Sequence, residues 1–202
     1  MNGSTCVTKK ISAALETYEW DNPWWEHTEI TDKPRVLYIG DSISRGTLFP
    51  LNKLADGKIL FDNFATSKAL DNPFFIPSLE LFLSQTGRCD CIIFNNGLHG
   101  WHLSDEEYAE GFENMLGYLE KKGIPVYVML TTHLPLDKER EKTVISRNAA
   151  ASAAAAKHGF GIIDLHRVSS ALSMDDYCGD GVHFHNEGYE ALAKEILGSI
   201  KL

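Results

Sequence analysis

Five short apolar runs punctuate the chain, at residues 36–39, 59–64, 91–95, 126–130 and 161–165. Each has the length of a strand and is rich in Val, Ile, Leu or Phe. Between them the apolar positions recur at helical spacing. Residues 78–85 carry Leu79, Leu81, Phe82 and Leu83. Residues 104–122 open on Ser104-Asp105-Glu106-Glu107, a capping box, and stop at Gly123. Residues 137–158 are alanine-rich and end at Gly159, and a last helix covers 186–197. Continuous apolar strands alternating with helices predict one α/β domain over residues 35–202, its parallel sheet covered on both faces. Ahead of it, residues 5–20 predict a helix with Ile11, Leu15 and Tyr18 on one face. The aromatic stretch Trp20-Asp21-Asn22-Pro23-Trp24-Trp25 follows. Residues 1–34 therefore form an extension, either an arm packed on the domain or a wall of a substrate site.

Composition narrows the class. Of 202 residues, 44% are hydrophobic and 23% charged, the balance of a folded globular chain. No apolar run is long enough to span a membrane. Nineteen Lys and Arg against 28 Asp and Glu give a net charge of −9, which repels phosphate backbones, so no nucleic-acid partner is expected. The four cysteines, Cys6, Cys89, Cys91 and Cys178, contain no CxxC pair and read as small buried hydrophobes. Cys89 and Cys91 are expected on one face of a strand. Residues 1–19 lack the apolar core of a secretory signal, which predicts a cytoplasmic protein.

Ligands of open parallel sheets bind beyond the carboxyl ends of the strands. Gly40-Asp41-Ser42-Ile43-Ser44-Arg45-Gly46 follows the first strand and Ala65-Thr66-Ser67-Lys68 the second. Asn95-Asn96-Gly97-Leu98-His99-Gly100-Trp101-His102 follows the third and Thr131-Thr132-His133 the fourth. Gly179-Asp180-Gly181-Val182-His183-Phe184-His185 lies beyond the fifth. Hydroxyls, imidazoles, a carboxylate and glycines gathered on one edge suit nucleophilic acyl transfer. A serine needs a base to take its proton, histidine is the base that titrates near neutrality, and a carboxylate fixes its tautomer. Asp180 and His183, three apart at a loop-to-helix junction, can face one edge together.

Gly40-Asp41-Ser42 after the first strand resembles the first block of the SGNH (GDSL) hydrolases. Asp180-Gly181-Val182-His183, with Asn186-Glu187-Gly188-Tyr189 opening the last helix, resembles their C-terminal DxxH block. The resemblance covers residues 35–202. It implies a flavodoxin-like three-layer sandwich with a five-stranded parallel sheet, and an esterase or acylhydrolase that uses no metal or other cofactor on a small-molecule ester. It implies Ser42 as nucleophile, His183 as general base and Asp180 as its orienting carboxylate. Two blocks depart from the pattern. Lys68, with Ser67 beside it, falls near the position where the family has a glycine whose N–H serves the oxyanion hole together with that of Ser42. His99 stands where an asparagine side chain donates, with Asn95 and Asn96 as alternative amides.

The acyl group reads as short, acetyl on a carbohydrate-like alcohol, because Trp20, Trp24, Trp25 and Trp101 can stack on a sugar ring. Alternatives are a lysophospholipase- or thioesterase-type acylhydrolase, a flavodoxin-like module cradling a phosphate on residues 42–47, and a silent relative that binds without turnover. His99, His102, His183 and His185 are not expected to hold a metal. His133 is either a pocket wall or a surface residue, His27, His158 and His166 carry no assignment, and residues 138–142 read as a solvated mixed-charge face.

Overall fold

Each apolar run becomes a strand whose alternate residues enter opposite hydrophobic layers. In the computed structural model, which describes residues 15–202, the order is β1 (Asp21–Trp24), β2 (Arg35–Gly40), α1 (Ser42–Ala55), β3 (Leu60–Thr66), α2 (Phe75–Leu83) and β4 (Cys91–Phe94). Then come α3 (Asp105–Glu120), β5 (Val126–Met129), α4 (Lys138–His158), β6 (Gly161–Ile163), α5 (Leu165–Ser170) and α6 (Asn186–Ser199). Val36, Tyr38, Phe61 and Ile93 pack with Leu51 of α1 and Leu192 and Ile196 of α6. Leu37, Ile39, Phe64, Ile92 and Phe94 face α2, α3 and α4 through Phe82, Phe112, Leu116 and Ala155. The result is the expected three-layer α/β sandwich. None of its helices, among the described residues, is long and apolar enough to cross a membrane.

The sheet has six strands in the order β1-β3-β2-β4-β5-β6. The five predicted strands pair in parallel, and β1 adds to the β3 edge antiparallel, with Asp21 opposite Thr66 and Trp24 opposite Asn63. The five-stranded expectation thus gains a strand from the segment read as an extension. Pro23 offers no N–H, and an edge strand is where a sheet tolerates that. Arg35 secures the arm: its guanidinium donates to the Glu26, His27 and Ile30 carbonyls and pairs with buried Asp62. Most of the predicted helix over residues 5–20 lies outside the described residues, and its remainder, 15–20, is irregular. Its polar groups are spent across the chain instead: Glu19 accepts from Ser67 and Asn72, and the Trp20 carbonyl accepts from the Ser67 N–H. Cys89 precedes β4 and packs on the opposite side of the sheet from buried Cys91, so the two do not share a face.

Counting only parallel strands, the order is 2-1-3-4-5, and the crossovers leave β2 in opposite directions. The crevice this creates lies at the carboxyl ends of β2 and β4. Two loops at that rim touch at Gly97, where an added Cβ would meet Thr131 Oγ1 at 1.7 Å. That hydroxyl accepts from the Asn95 amide, so the clash also breaks a buried bond. Gly97→Ala is expected to cost about 2 kcal/mol in urea-unfolding free energy. A loss below a few tenths would show that Thr131 turns away freely.

Candidate active site

Asp41, not Ser42, caps α1: its Oδ1 accepts the Ile43 N–H at 2.9 Å. Ser42 is then the first helical residue, where a backbone N–H has no partner within the helix and sits at the positive end of its dipole. Its hydroxyl meets the other end of the chain. Ser42 Oγ lies 2.9 Å from His183 Nε2, and His183 Nδ1 lies 2.6 Å from Asp180 Oδ2. Asp180 Oδ1 accepts the N–H groups of Val182 and His183 at 2.9 and 3.0 Å, so one carboxylate both folds the loop and orients the ring. Gly181 makes the turn with φ +65° and packs on Leu136. α1, which begins at Ser42, and α6, which follows the Asp180–His183 loop, pack on each other across one face of the sheet.

Burial would raise the Asp180 carboxyl, but the His183 ring and the N–H groups of His183 and Val182 hold it down to about 2. A carboxylate whose folded value lies below its unfolded one adds stability above about pH 4, and this is lost as pH falls toward 2. Solvent screens the effect, because the side chain is 49% exposed. Asp180→Asn is expected to flatten that part of the urea-unfolding pH curve. A variant curve as steep as wild type there would reject the depressed value. Behind the serine, burial pushes the Asp41 carboxyl up, opposed by His99, by the Ile43 N–H it accepts and then by His183.

The remaining predicted residues gather on the same rim with their groups in different employment. The Lys68 ammonium pairs with Asp21 Oδ1 at 2.6 Å, and its backbone N–H donates to Thr66 Oγ1 at 3.1 Å. The Asn96 amide donates to the Lys68 carbonyl at 2.8 Å, tying the two rim loops together, and its buried Oδ1 has no partner among the described residues. Asn95 donates to the Met129 carbonyl. The His99 ring, 19% exposed, has Nδ1 3.6 Å from Glu16 Oε1 and stands nearly perpendicular to the Trp20 ring, 6.4 Å between centroids.

Two residues that sequence reasoning passed over hold this rim. The Arg147 guanidinium, 1% exposed, donates to the carbonyls of Gly97, His99 and Gly100 at 2.9, 2.7 and 2.6 Å. It lies over the rings of Trp101 and Tyr108. Glu16 of the arm accepts the Gly100 N–H at 2.7 Å. The signal for Arg147 was its spacing, since Val144, Ala151 and Ala155 place it on the buried stripe of α4. Glu16 had no such signal.

A cavity of about 130 Å³ reaches Asp180 but neither Ser42 nor His183, and is lined also by Leu98, Trp101, Leu134, Arg140 and Val182. A larger groove of about 640 Å³ runs beside α1, between Arg45, Phe49 and Lys53 and the arm residues Trp24 and His27. Of the tryptophans expected to stack on a sugar, Trp101 lines the small cavity and Trp24 the groove. Trp25 is stacked on Phe82, and Trp20 stands beside His99.

No family model matches the chain, and no curated protein matches it. Solved structures do. An acetyl xylan esterase, AlAXEase, superposes with TM-score 0.68 at 14% identity over 83% of this chain and 100% of its own. A member of the lipolytic protein G-D-S-L family from Veillonella parvula gives 0.67 at 18% identity over 81% and 96%. A mutant of Axe2, an acetyl-xylooligosaccharide esterase from Geobacillus, gives 0.61 at 15% identity over 87% and 97%. The chain thus has the fold of the SGNH/GDSL hydrolases.

Proposed function

We propose that the protein is a carboxylic-ester hydrolase of the SGNH type, acting through an acyl-enzyme on Ser42. The observation that carries the reading is the unbroken relay from Ser42 Oγ through His183 to Asp180. His183 Nε2 takes the hydroxyl proton as Ser42 attacks the ester carbonyl, and Asp180 stabilises the imidazolium and keeps Nδ1 protonated. The proton then passes to the leaving alcohol, and water repeats the attack on the acyl-enzyme. The tetrahedral oxygen is received by the Ser42 N–H at the head of α1 and by His99, whose second ring nitrogen faces Glu16. The Lys68 N–H joins once it leaves Thr66 Oγ1. The Asn96 amide serves better as the tie to the Lys68 loop than as a donor to substrate. A fluorophosphonate probe is expected to label the wild-type protein and not Ser42→Ala. A folded wild-type protein that stays unlabelled would favour a silent binding relative.

The substrate we infer is a short acyl ester, acetyl on a carbohydrate-like alcohol. The cavity that reaches the Asp180 end of the relay is small, about 130 Å³ against the few hundred Å³ typical of larger ligands, and Trp101 gives it an aromatic wall. Two of the structural neighbours are esterases of acetylated xylan or xylo-oligosaccharide. A longer acyl group is favoured by one observation, the groove of about 640 Å³ beside α1 with Leu48, Phe49 and Trp24 in its wall. A kcat/KM panel decides: acetylated xylo-oligosaccharides are expected to exceed octanoyl esters at least about tenfold. Preference for octanoyl would transfer the assignment to the groove.

A further inference from the structure

A second cluster of chemistry-bearing groups lies outside the triad, at the foot of the rim. His133 leaves the end of β5, Glu141 lies in the first turns of α4, and His166 lies in α5. His133 Nδ1 and His166 Nε2 each lie 2.8 Å from the same oxygen, Glu141 Oε1, and one ligand atom from each of the three residues falls within 4.8 Å of the others. The two rings meet edge to face, 5.6 Å between centroids. Far from solvated, Glu141 is turned inward with its side chain 13% exposed, unlike its neighbours Glu139 and Lys142 on the charged face.

We propose that His133, Glu141 and His166 form a binding site for a divalent transition-metal ion, zinc foremost. Two imidazoles and a carboxylate are a donor set that zinc takes, leaving a fourth position for water. Ligand atoms of a tetrahedral zinc ion lie about 3.3 Å apart, so each 2.8 Å contact opens by about half an ångström when the ion replaces the shared protons. The outer groups that fix such ligands are already in place. Glu141 Oε2 accepts the Leu134 N–H at 2.7 Å, which aims Oε1 at the two rings. The His133 N–H donates to buried Ser169 Oγ at 2.8 Å, which anchors the loop that presents its ring. The rings themselves are 29% and 25% exposed, enough for an ion to enter from solvent.

The bound ion would join three segments that the chain only brings near one another: the loop after β5, the head of α4 and α5. Leu134 of that loop lines the small cavity with Asp180 and Val182, and Leu136 packs beneath Gly181. The site is therefore a clamp under the loop that carries Asp180 and His183, and takes no part in the chemistry at Ser42.

The test is calorimetric titration of zinc chloride into the 202-residue protein after chelator treatment, with cobalt(II) as a spectroscopic reporter. One equivalent is expected to bind, to raise Tm, and, as cobalt, to give the strong visible bands of a tetrahedral site. Glu141→Gln, which keeps an acceptor for Leu134, and His166→Ala are each expected to weaken binding by about a hundredfold or more. Circular dichroism confirms that each variant is folded; should one fail to fold, the other decides. No uptake by the wild type would overturn the proposal. So would unchanged affinity in a folded variant, which would assign the ion to exposed histidines such as His27, His102 or His185.

Discussion

Ser42→Ala is expected to lower kcat/KM for a short-chain aryl ester by roughly a thousandfold or more, about 4 kcal/mol of transition-state stabilisation. The loss should fall on kcat, because the hydroxyl forms the acyl-enzyme and adds little to ground-state binding. Folding should be untouched. The cap of α1 is Asp41, and the hydroxyl's hydrogen-bond partner among the described residues is His183. Unfolding midpoints within a few tenths of a kcal/mol of wild type, with activity abolished, are the expected pair of results. Near wild-type turnover in the folded variant would reject Ser42 as nucleophile.

Arg147→Met is expected to cost about 3–5 kcal/mol in chemical denaturation, the largest effect on stability anticipated for this chain. One buried guanidinium serves three carbonyls of a four-residue loop, and methionine satisfies none of them. The hydrocarbon stem is replaced well enough, so packing on Trp101 and Tyr108 is not the main loss. Arg147→Lys restores charge but not the fork, and should recover less than half of the difference. The same loop carries His99, so kcat should fall in both variants even where the protein is folded. A stable Arg147→Met protein would show that water replaces the guanidinium at the three carbonyls.

The parallel sheet was legible because its strands are buried on both faces and so read as unbroken apolar runs, and because Ser104 and Gly159 mark helix ends through local hydrogen bonds. Ser42 was legible where β2 ends, and Asp180 and His183, well beyond β6 and α5, through their three-residue spacing ahead of α6 and the DxxH resemblance. β1 was not, since Asp21-Asn22-Pro23-Trp24 has neither alternation nor strand preference, and only the exposed edge of β3 makes it a strand. Glu141 looked like one charge in a solvated run until the fold placed two imidazoles over it. At the rim, counting residues located His99, but only coordinates show that Asn96 is occupied by the Lys68 carbonyl and that Glu16 approaches from the arm.

The antiparallel strand β1 imposes an order of events on synthesis. Residues 21–24 leave the ribosome before residues 63–66, against which they pair, and Glu16 leaves long before Gly100. Strand β1 must stay unpaired while about forty following residues are translated, and Glu16 must wait about twice as long for its partner.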